Sequence, residues 1–187
     1  MTMNQYVPGR CIELNNHNEI QVCTEQCLDY ERIKKWDLRY LELAKHVSTF
    51  SKDPSTKVGA VVVNYTHNCE FLGYNGFPKG VVDSEERYNN RELKYKLVVH
   101  AEVNAILKAK EYAEGSTLYV YPSFSLPPIC NECAKVAIQA GIRTIVGYEL
   151  DLNDERVKRW INSINIARIM CEEAGITWRS YEEITNT

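Results

Sequence analysis

Hydrophobic and polar positions follow two different periods in the first half of the chain. Between residues 29 and 49, apolar residues recur every three to four positions, which predicts an amphipathic helix that ends before Pro54. Residues 58–65 form a short apolar run rich in β-branched side chains, as in a buried strand. A second predicted strand at residues 70–74 follows a polar turn, so the two strands are expected to pair antiparallel.

Helices and strands alternate in the second half of the chain. The charged stretch at residues 83–96 predicts one more helix before this alternation begins. The pattern then predicts helices at 99–112, 130–140 and 154–174, and strands at 117–121, 144–148 and 176–179. This alternation indicates an α/β domain over residues 29–187, in which helices cover a layered sheet. Residues 1–28 show neither period and are interpreted as an N-terminal extension.

Composition and charge narrow the class of protein. The 187 residues are 44% hydrophobic and 25% charged, which is typical of a globular chain of one domain. A net charge of −3 argues against a surface that binds long nucleic acids. No apolar run is long enough for a membrane helix, and the first residues lack the apolar stretch of a secretory signal. A cytoplasmic protein with reduced cysteines and no membrane partner is therefore expected.

Three residues at two predicted helix starts form the strongest chemical pattern. His100 begins one helix, and Cys130 and Cys133 have the C-x-x-C spacing at the start of another. A helix N-terminus stabilises thiolates, so the two cysteines and the histidine predict a zinc site with three protein ligands. Three ligands leave a position for water. Glu102, two residues after His100, can reach that water as a proton shuttle.

The residues alone leave two other metal arrangements open. A fourth ligand such as Cys69 or His67 would turn the same cluster into a closed, structural zinc site. The cysteines of the N-terminal extension either bind a second metal ion or are ordinary reduced thiols. They are Cys11, Cys23 and Cys27.

The order H-x-E followed by P-x-C-x-x-C resembles the zinc-dependent deoxycytidylate deaminase family. Four blocks resemble family segments in the same order, and the likeness extends from about residue 36 to residue 178. The blocks occupy residues 51–60, 73–80, 99–106 and 130–135. In one departure, Ile129 separates Pro128 from Cys130, where the family usually places a proline directly before the cysteine. The difference concerns the loop at residues 123–129, which in the family forms a wall of the base pocket.

The resemblance implies a three-layer cytidine deaminase-like fold, whose central mixed five-stranded sheet is flanked by helices. It implies hydrolytic deamination of dCMP to dUMP and ammonia in pyrimidine deoxynucleotide metabolism, with water activated by one Zn²⁺ ion. Glu102 would move protons between that water, N3 of the cytosine ring and the leaving amine. The implied substrate-binding residues are Asn75 at the sugar, Ala101 at the base edge, Ser51, Lys57 and Lys79 at the phosphate, and Tyr121 beside the pocket loop.

Family members also bind nucleoside triphosphates and assemble as oligomers. The resemblance therefore implies regulation by dCTP and dTTP, Mg²⁺ bound with the triphosphate, and a homo-oligomer, with a hexamer expected. The implied effector-binding residues are Gly76, Pro78, Lys79, Gly80, Glu86 and Arg87.

The aromatic residues and the charged stretch are expected to have mainly structural roles. Trp160 and the other tryptophans have the spacing of core residues rather than of base-stacking residues. Most of the charged stretch at residues 83–96 is expected to face solvent, although Arg87, Arg91 and Lys94 have a spacing that would suit an anionic effector.

Three alternative functions stay open. A bifunctional dCMP/dCTP deaminase, or one acting on a modified dCMP, would keep the same zinc motif. A deaminase of RNA or single-stranded DNA shares the motif but usually has a basic groove, which the net charge of −3 disfavours. A non-catalytic zinc-binding subunit that binds nucleotides would need neither Glu102 nor Asn75.

Overall fold

The computed structural model describes residues 13–14, 20–21, 24–149 and 155–183. In the first half of the chain the elements are β1 (Glu13–Leu14), β2 (Ile20–Gln21), α1 (Thr24–Ser48), β3 (Gly59–Asn64), β4 (Cys69–Tyr74), α2 (Glu85–Asn89) and α3 (Arg91–Leu97). In the second half they are α4 (Ala101–Ala109), a 3₁₀ helix (Lys110–Ala113), β5 (Thr117–Tyr121), α5 (Asn131–Gln139), β6 (Thr144–Tyr148), α6 (Glu155–Glu173) and β7 (Thr177–Tyr181).

The chain divides into two compact units, Met1–Asp37 and Leu38–Thr187. In the described part of the first unit, β1 pairs antiparallel with β2 and α1 begins. Cys11 and Cys23 lie outside the described residues, as does the side chain of Cys27. The predicted boundary after residue 28, and the second metal site suggested for these cysteines, stay predictions.

The second unit contains a five-stranded sheet in the order β4-β3-β5-β6-β7. β3 pairs antiparallel with both β4 and β5, so that Val62 lies opposite Phe71 on one side and Leu118 on the other. β5, β6 and β7 run parallel to one another. The sheet is therefore mixed, with an antiparallel hairpin at one edge, and the predicted fold class is confirmed.

The central strand β3 is buried on both faces because helices cover both sides of the sheet. Successive side chains of a strand point to opposite faces. Ala60 and Val62 accordingly pack in the cluster that includes residues of α4, α5 and α6, whereas Val61 and Val63 pack with Leu41 of α1. These two apolar clusters are the inner surfaces of a three-layer α/β/α arrangement.

Helix α4 lies very close to the sheet because the residues at this contact are small. Ala101, Ala105 and Ala109 of α4 are fully buried. Opposite them, Gly73 of β4 lies so near α4 that an added Cβ would overlap the carbonyl oxygen of Ala101 and the amide nitrogen of Ala105. This close packing fixes the height of α4 above the sheet, and the first residues of α4 belong to the candidate site.

The observed elements differ most from the predicted ones in two places. Residues 83–96 form two short helices rather than one, because each has its own N-cap. The Ser84 hydroxyl accepts a hydrogen bond from the amide of Arg87, and the Asn90 side chain accepts one from the amide of Leu93. The first long helix begins at Thr24, five residues before the predicted start at residue 29.

Within the described ranges, none of the helices combines the length and the apolar composition needed to cross a lipid bilayer.

We predict that Gly73→Ala lowers the free energy of unfolding by about 1–3 kcal/mol, because the new methyl group would force β4 and the backbone of α4 apart. Urea unfolding followed by circular dichroism measures the loss. Gly76→Ala is the matched control: at that position an added Cβ meets only the Tyr88 hydroxyl, 4.0 Å away. Equal stability of the two variants would contradict this account of the β4–α4 contact.

Candidate active site

Two helix N-termini meet at one end of the domain, and each contributes side chains to the same cluster. His100 is the N-cap residue of α4, and Cys130 is the N-cap residue of α5. Cys133 lies in the first turn of α5, and its amide points toward the Cys130 sulfur at 3.5 Å. An N-cap residue has extended backbone, so its side chain projects beyond the end of the helix. The helix ends thus place an imidazole and two sulfurs together.

The cluster has the dimensions of a tetrahedral metal site. His100 Nδ1 is 3.2 Å from Cys133 Sγ and 3.4 Å from Cys130 Sγ, and the three donor atoms all lie within 4.8 Å of one another. Ordinary zinc–ligand bond lengths separate two donors of a tetrahedral site by about 3.6–3.8 Å. One imidazole nitrogen and two sulfurs also form a donor set that binds zinc better than it binds harder cations such as Mg²⁺ or Ca²⁺. The residues present therefore fit a zinc ion.

The cluster contains three ligating residues among those that the structure describes, which is the number typical of a catalytic rather than a structural zinc site. Cys69 and His67, considered above as a fourth ligand, do not belong to it. His67 instead contacts the side chain of Asn64 through its own amide and ring nitrogen, next to the β3–β4 turn. A coordination position is therefore left for a small molecule such as water.

Electrostatics favour a thiolate in this cluster. Hydrogen bonding with Cys133, helped by His100, lowers the pKa of the Cys130 thiol. The hydrogen bond with Cys130 raises the pKa of His100 to about 9. The pKa of Cys133 is raised, because the same bond to Cys130 and burial both favour its protonated form. A metal ion deprotonates the thiols that coordinate it, so metal binding would convert both cysteine thiols to thiolate ligands.

Glu102 lies in the first turn of α4, two residues beyond His100, and only 6% of its surface is exposed. It is not one of the clustered ligands. Burial raises the pKa of Glu102, because a carboxylate loses hydration in an apolar environment. A buried carboxyl group of this kind, beside a metal site, suits proton transfer.

A cavity of about 140 Å³ opens in front of His100, Glu102 and Cys130. Its walls come from the loop before β3, from α3, from the loop between β5 and α5, and from α6. The apolar lining residues are Val58, Val98, Ala101, Val120, Pro122, Phe124, Pro128, Ile129 and Ile164. An apolar pocket with a few polar groups at fixed points is the usual form of a site for a small organic molecule.

Ile129, the residue that departs from the family pattern, is part of this wall. It is fully buried in the core cluster of α4, α5 and α6. Its carbonyl oxygen accepts a hydrogen bond of 3.1 Å from the Ser125 hydroxyl, across the loop. The extra residue is thus accommodated by packing inward, and Cys130 still caps α5.

Asn75 lies in the cavity wall, at the end of β4, and its side chain holds two loops together. Its Oδ1 accepts a hydrogen bond of 2.7 Å from the amide of Val58, and its Nδ2 donates one of 2.9 Å to the carbonyl of Thr56. The carboxamide has two N–H groups, so one of them is still available to a ligand.

A buried ion pair forms part of the same wall. Lys94 Nζ lies 3.1 Å from Asp53 Oδ2, and each side chain is less than a tenth exposed. Asp53 also accepts hydrogen bonds from the amides of Ser55 and Thr56. Burial alone would raise the pKa of Asp53, but these hydrogen bonds and the one from Lys94 outweigh it and lower the pKa below 3.8. The pair fastens α3 to the loop before β3.

The residues predicted to bind substrate are only partly brought together. Asn75 and Ala101 line the cavity with Glu102, whereas Ser51, Lys57, Lys79 and Tyr121 do not. Ser51 is buried, and its hydroxyl donates to the carbonyl of Asn75 at 2.9 Å. Tyr121 packs on the opposite face of the sheet, where its ring meets Tyr148 edge to face.

The residues predicted to bind an effector lie outside the cavity. Pro78, Lys79 and Gly80 form an exposed turn, and Gly80 has a positive φ of 86°. Glu86 is exposed on α2, while Arg87 donates from Nη1 to the carbonyl of Val82 at 2.9 Å.

Gly76, the first residue of this loop, is tied to the residue before His100. Two backbone hydrogen bonds, of 3.1 and 2.8 Å, join Gly76 with Val99. Behind this bridge, the rings of Phe77 and Tyr88 stack at a centroid distance of 4.3 Å.

Several cavity residues were missed by sequence reasoning. Trp160 was interpreted as a core residue, but it is only partly buried and lines the cavity together with Arg159. The sequence predicts Lys94 in a mostly solvent-exposed stretch, with a spacing that would suit an anionic effector, but Lys94 is 5% exposed and lines the cavity as well. The charged spacing of α3 gives no signal for this, because the partner Asp53 lies 41 residues away in sequence.

Comparison with known proteins agrees with this geometry. Residues 34–149 match the family described as the cytidine and deoxycytidylate deaminase zinc-binding region. An uncharacterised deaminase of Aliivibrio fischeri is 38% identical over 150 residues, which cover 78% of this chain and 95% of the relative. The human deoxycytidylate deaminase is 33% identical over 161 residues, which cover 83% of this chain and 84% of the relative.

A solved structure is similar as well. The dCMP deaminase of cyanophage S-TIM5, in complex with dCMP and dUMP, superposes with a TM-score of 0.56 and 25% identity. The match covers 80% of this chain and 96% of that chain. Fold, metal cluster and relatives together define a zinc-binding hydrolytic deaminase. The chain belongs to the cytidine and deoxycytidylate deaminase family.

We predict that Asp53→Asn lowers the free energy of unfolding by about 3–5 kcal/mol at neutral pH, because it leaves Lys94 buried without its counter-charge. The pKa of Asp53 is lowered by folding, so the carboxylate stabilises the protein above pH 3.8 and this contribution disappears as the pH falls through the lowered value. The difference between wild type and Asp53→Asn should therefore shrink in acid.

Urea unfolding between neutral and acidic pH measures this difference. Glu92→Gln is the control, because it breaks an exposed pair with Lys96 and is expected to cost less than about 0.5 kcal/mol. A pH-independent difference for Asp53→Asn would contradict the role given to the ion pair.

Proposed function

We propose that the enzyme hydrolyses dCMP to dUMP and ammonia. The observation that carries the proposal is the buried Glu102 carboxyl beside the cluster of His100, Cys130 and Cys133, at the inner end of an apolar cavity. Two comparisons support the choice of substrate: the human relative is a deoxycytidylate deaminase, and the similar cyanophage structure contains dCMP and dUMP.

The reaction consumes one water molecule and releases one molecule of ammonia. A bond forms between the water oxygen and C4 of the cytosine ring, and the bond between C4 and the exocyclic nitrogen breaks. Zinc bound by His100, Cys130 and Cys133 supplies a Lewis acid that makes water more acidic and more nucleophilic. All proton movements are then left to the protein.

Glu102 is proposed as the proton carrier. It accepts a proton as the attacking oxygen loses one and donates it to N3 of the ring; it then takes the second proton from the hydroxyl group formed at C4 and delivers it to the leaving amine. Burial raises the pKa of Glu102, so its carboxylate takes up a proton more readily than an exposed one would. At the end of the reaction Glu102 is again ionised, and one turnover leaves the enzyme unchanged.

The other proposed contacts position the ring and the sugar. The amide of Ala101 is in the first turn of α4, where a helix provides no acceptor, so it can donate to the base edge. The small side chain of Ala101 leaves room for the ring. The remaining N–H of Asn75 is proposed to donate to a hydroxyl of the deoxyribose. Val58, Val120 and Ile129 exclude water from the ring.

Regulation by dCTP and dTTP, with Mg²⁺ bound to the triphosphate, is proposed to act at residues 76–87. A triphosphate there would not compete with substrate, because the exposed part of this loop lies outside the cavity. The Gly76–Val99 bridge would carry a shift of the loop to the residue next to His100. The same proposal includes assembly as a homo-oligomer, with a hexamer expected.

The first experiment measures initial ammonia release from zinc-loaded protein supplied with dCMP, deoxycytidine, dCTP or a short cytosine-containing single strand. We expect turnover of dCMP. Glu102→Gln should keep zinc, measured by metal analysis, but lose about 10²- to 10⁴-fold in kcat, the usual contribution of a positioned proton carrier.

Glu132→Gln is the matched control. Glu132 follows Cys130 by two residues, as Glu102 follows His100, but its exposed carboxylate pairs with Lys135 at 2.6 Å. Its removal should leave kcat close to wild type. Zinc-loaded protein that releases no ammonia from any of the four substrates would refute the proposed function.

A second experiment adds dCTP to the dCMP reaction at subsaturating substrate, with and without Mg²⁺. We expect dCTP to bind at the loop of residues 76–87 and increase the initial rate of dCMP deamination. We expect dTTP to change the same rate. Light scattering of the same samples reports the oligomeric state. A rate that neither triphosphate changes would remove regulation from the proposal while leaving the deaminase activity intact.

A further inference from the structure

A pair of hydrogen bonds joins α6 to the first residue of α5. The Ser163 hydroxyl donates to Oδ1 of Asn131 at 2.6 Å, and the same hydroxyl oxygen accepts from the Asn131 amide at 3.0 Å. Asn131 follows Cys130 directly and precedes Cys133 by two residues. The two sulfurs of the cluster therefore lie on either side of a residue that α6 holds by both its side chain and its backbone.

The first turn of α5 needs an acceptor from outside the helix. The first amides of a helix have no acceptor within it, and an oxygen of the N-cap side chain usually takes this role. Ser84 and Asn90 do so for α2 and α3. The N-cap of α5 is Cys130, whose sulfur is a weak acceptor and lies 3.5 Å from the Cys133 amide. Ser163 supplies an oxygen acceptor from another helix.

The packing of α6 against α5 fixes the place of this hydroxyl. Ile164, the residue after Ser163, is 6% exposed, and Ala167, one turn further along α6, is fully buried. Ala167 belongs to the same apolar cluster as Ala134 and Ala137 of α5. Because a closely packed interface resists small displacements, the Ser163 hydroxyl stays at the N-terminus of α5.

We propose that Ser163 is a positioning residue of the zinc site. Through Asn131 it holds the first turn of α5 in the conformation that presents the sulfurs of Cys130 and Cys133 to one ion. Ser163 is not one of the clustered ligands itself. Residues that orient metal ligands without touching the metal commonly account for a difference of about 10- to 100-fold in metal affinity. The inference rests on the proposed function for the use of zinc in catalysis.

The two hydrogen bonds can be removed separately. Ser163→Ala removes both of them. Asn131→Ala removes only the bond to Oδ1, because the backbone amide at position 131 can still donate to Ser163. We therefore expect Asn131→Ala to weaken zinc binding less than Ser163→Ala does, and to have a much smaller effect in the Ser163→Ala background. The exposed bond from Asn131 to Glu132 is lost in both backgrounds and cancels in this comparison.

Zinc affinity of the full chain, measured by competition with a chromophoric chelator at constant pH, tests the proposal. Ser163→Ala should bind zinc about 10- to 100-fold more weakly than the wild type. Ser163→Thr keeps the hydroxyl and should recover most of the affinity. Asn162→Ala is the matched control, because Asn162 is the exposed neighbour of Ser163 on α6. Its zinc affinity should equal that of the wild type.

Absorption spectra of the Co²⁺-loaded proteins report on the sulfur ligands, because thiolate-to-cobalt bands depend on the number and geometry of the thiolates. We expect Ser163→Ala to weaken or shift these bands and Asn162→Ala to leave them unchanged. Equal zinc affinity in the wild type and Ser163→Ala would overturn the proposal, even if the variant unfolds more readily. So would an Asn131→Ala effect of equal size in both backgrounds.

Asn131→Ala decides the question alone if Ser163→Ala does not fold, as judged by circular dichroism of the metal-free protein. Weaker zinc binding by Asn131→Ala than by Asn162→Ala supports the proposal. Equal zinc affinity in these two variants overturns it.

Kinetics at buffered free zinc separate this inference from the proposed function. In Ser163→Ala, half-maximal ammonia release from dCMP should need about 10- to 100-fold more free zinc, with kcat and KM at saturating zinc within about threefold of the wild type. Ser163 borders the cavity, so a higher KM at unchanged zinc affinity would assign it to substrate binding and overturn the proposal. A wild type that releases no ammonia would refute the proposed function, while the zinc affinities would still decide the role of Ser163.

Discussion

The site depends above all on the meeting of two helix N-termini over one edge of the sheet. α4 and α5 each begin at an N-cap residue whose side chain projects past the helix. The two N-termini are close enough for an imidazole and two sulfurs to bind one ion. Small residues make this proximity possible. Ala101 and Ala105 let α4 lie directly on Gly73, and Ala134 and Ala137 are fully buried on α5. Bulkier residues at these contacts would separate the donors by more than a metal–ligand bond tolerates.

Two buried carboxyl groups near this centre, those of Glu102 and Asp53, have pKa values shifted in opposite directions. Glu102 is buried beside the ligands, and loss of hydration raises its pKa. Asp53 is equally buried, but it receives hydrogen bonds from Ser55, Thr56 and Lys94, and its pKa is lowered. The first carboxyl is therefore poised to exchange protons, whereas the second is a permanent anion that holds two segments of the wall together. Two carboxyl groups with little exposed surface thus have pKa values shifted in opposite directions, because Asp53 receives several hydrogen bonds and a counter-charge, whereas loss of hydration is the main effect on Glu102.

The parts of this architecture that the sequence predicts are those with a local cause. The β-branched run of β3 and the C-x-x-C spacing depend on residues that are close in the chain, and both were predicted correctly as a buried strand and a clustered pair of thiols. The division of residues 83–96 into two helices was missed, because the prediction considered only the charge of this stretch and not the capping residues Ser84 and Asn90.

The outer half of the cavity was beyond prediction for a different reason. Lys94 reaches Asp53 across 41 residues of sequence, and Trp160 meets Tyr95 only because the fold brings α6 beside α3. Hydrophobic periodicity assigned Trp160 to the core because an indole at helical spacing looks the same whether it packs against protein or borders a cavity. Such contacts follow from the relative placement of helices, which no local pattern specifies.

The neutral Asp53–Lys94 pair has a consequence for the way a ligand enters. Since the two charges cancel each other, the pair adds buried polar atoms to the described lining without adding net charge. A charged molecule in the cavity would therefore be neither strongly attracted nor strongly repelled at this part of the wall, although two ionised side chains lie there.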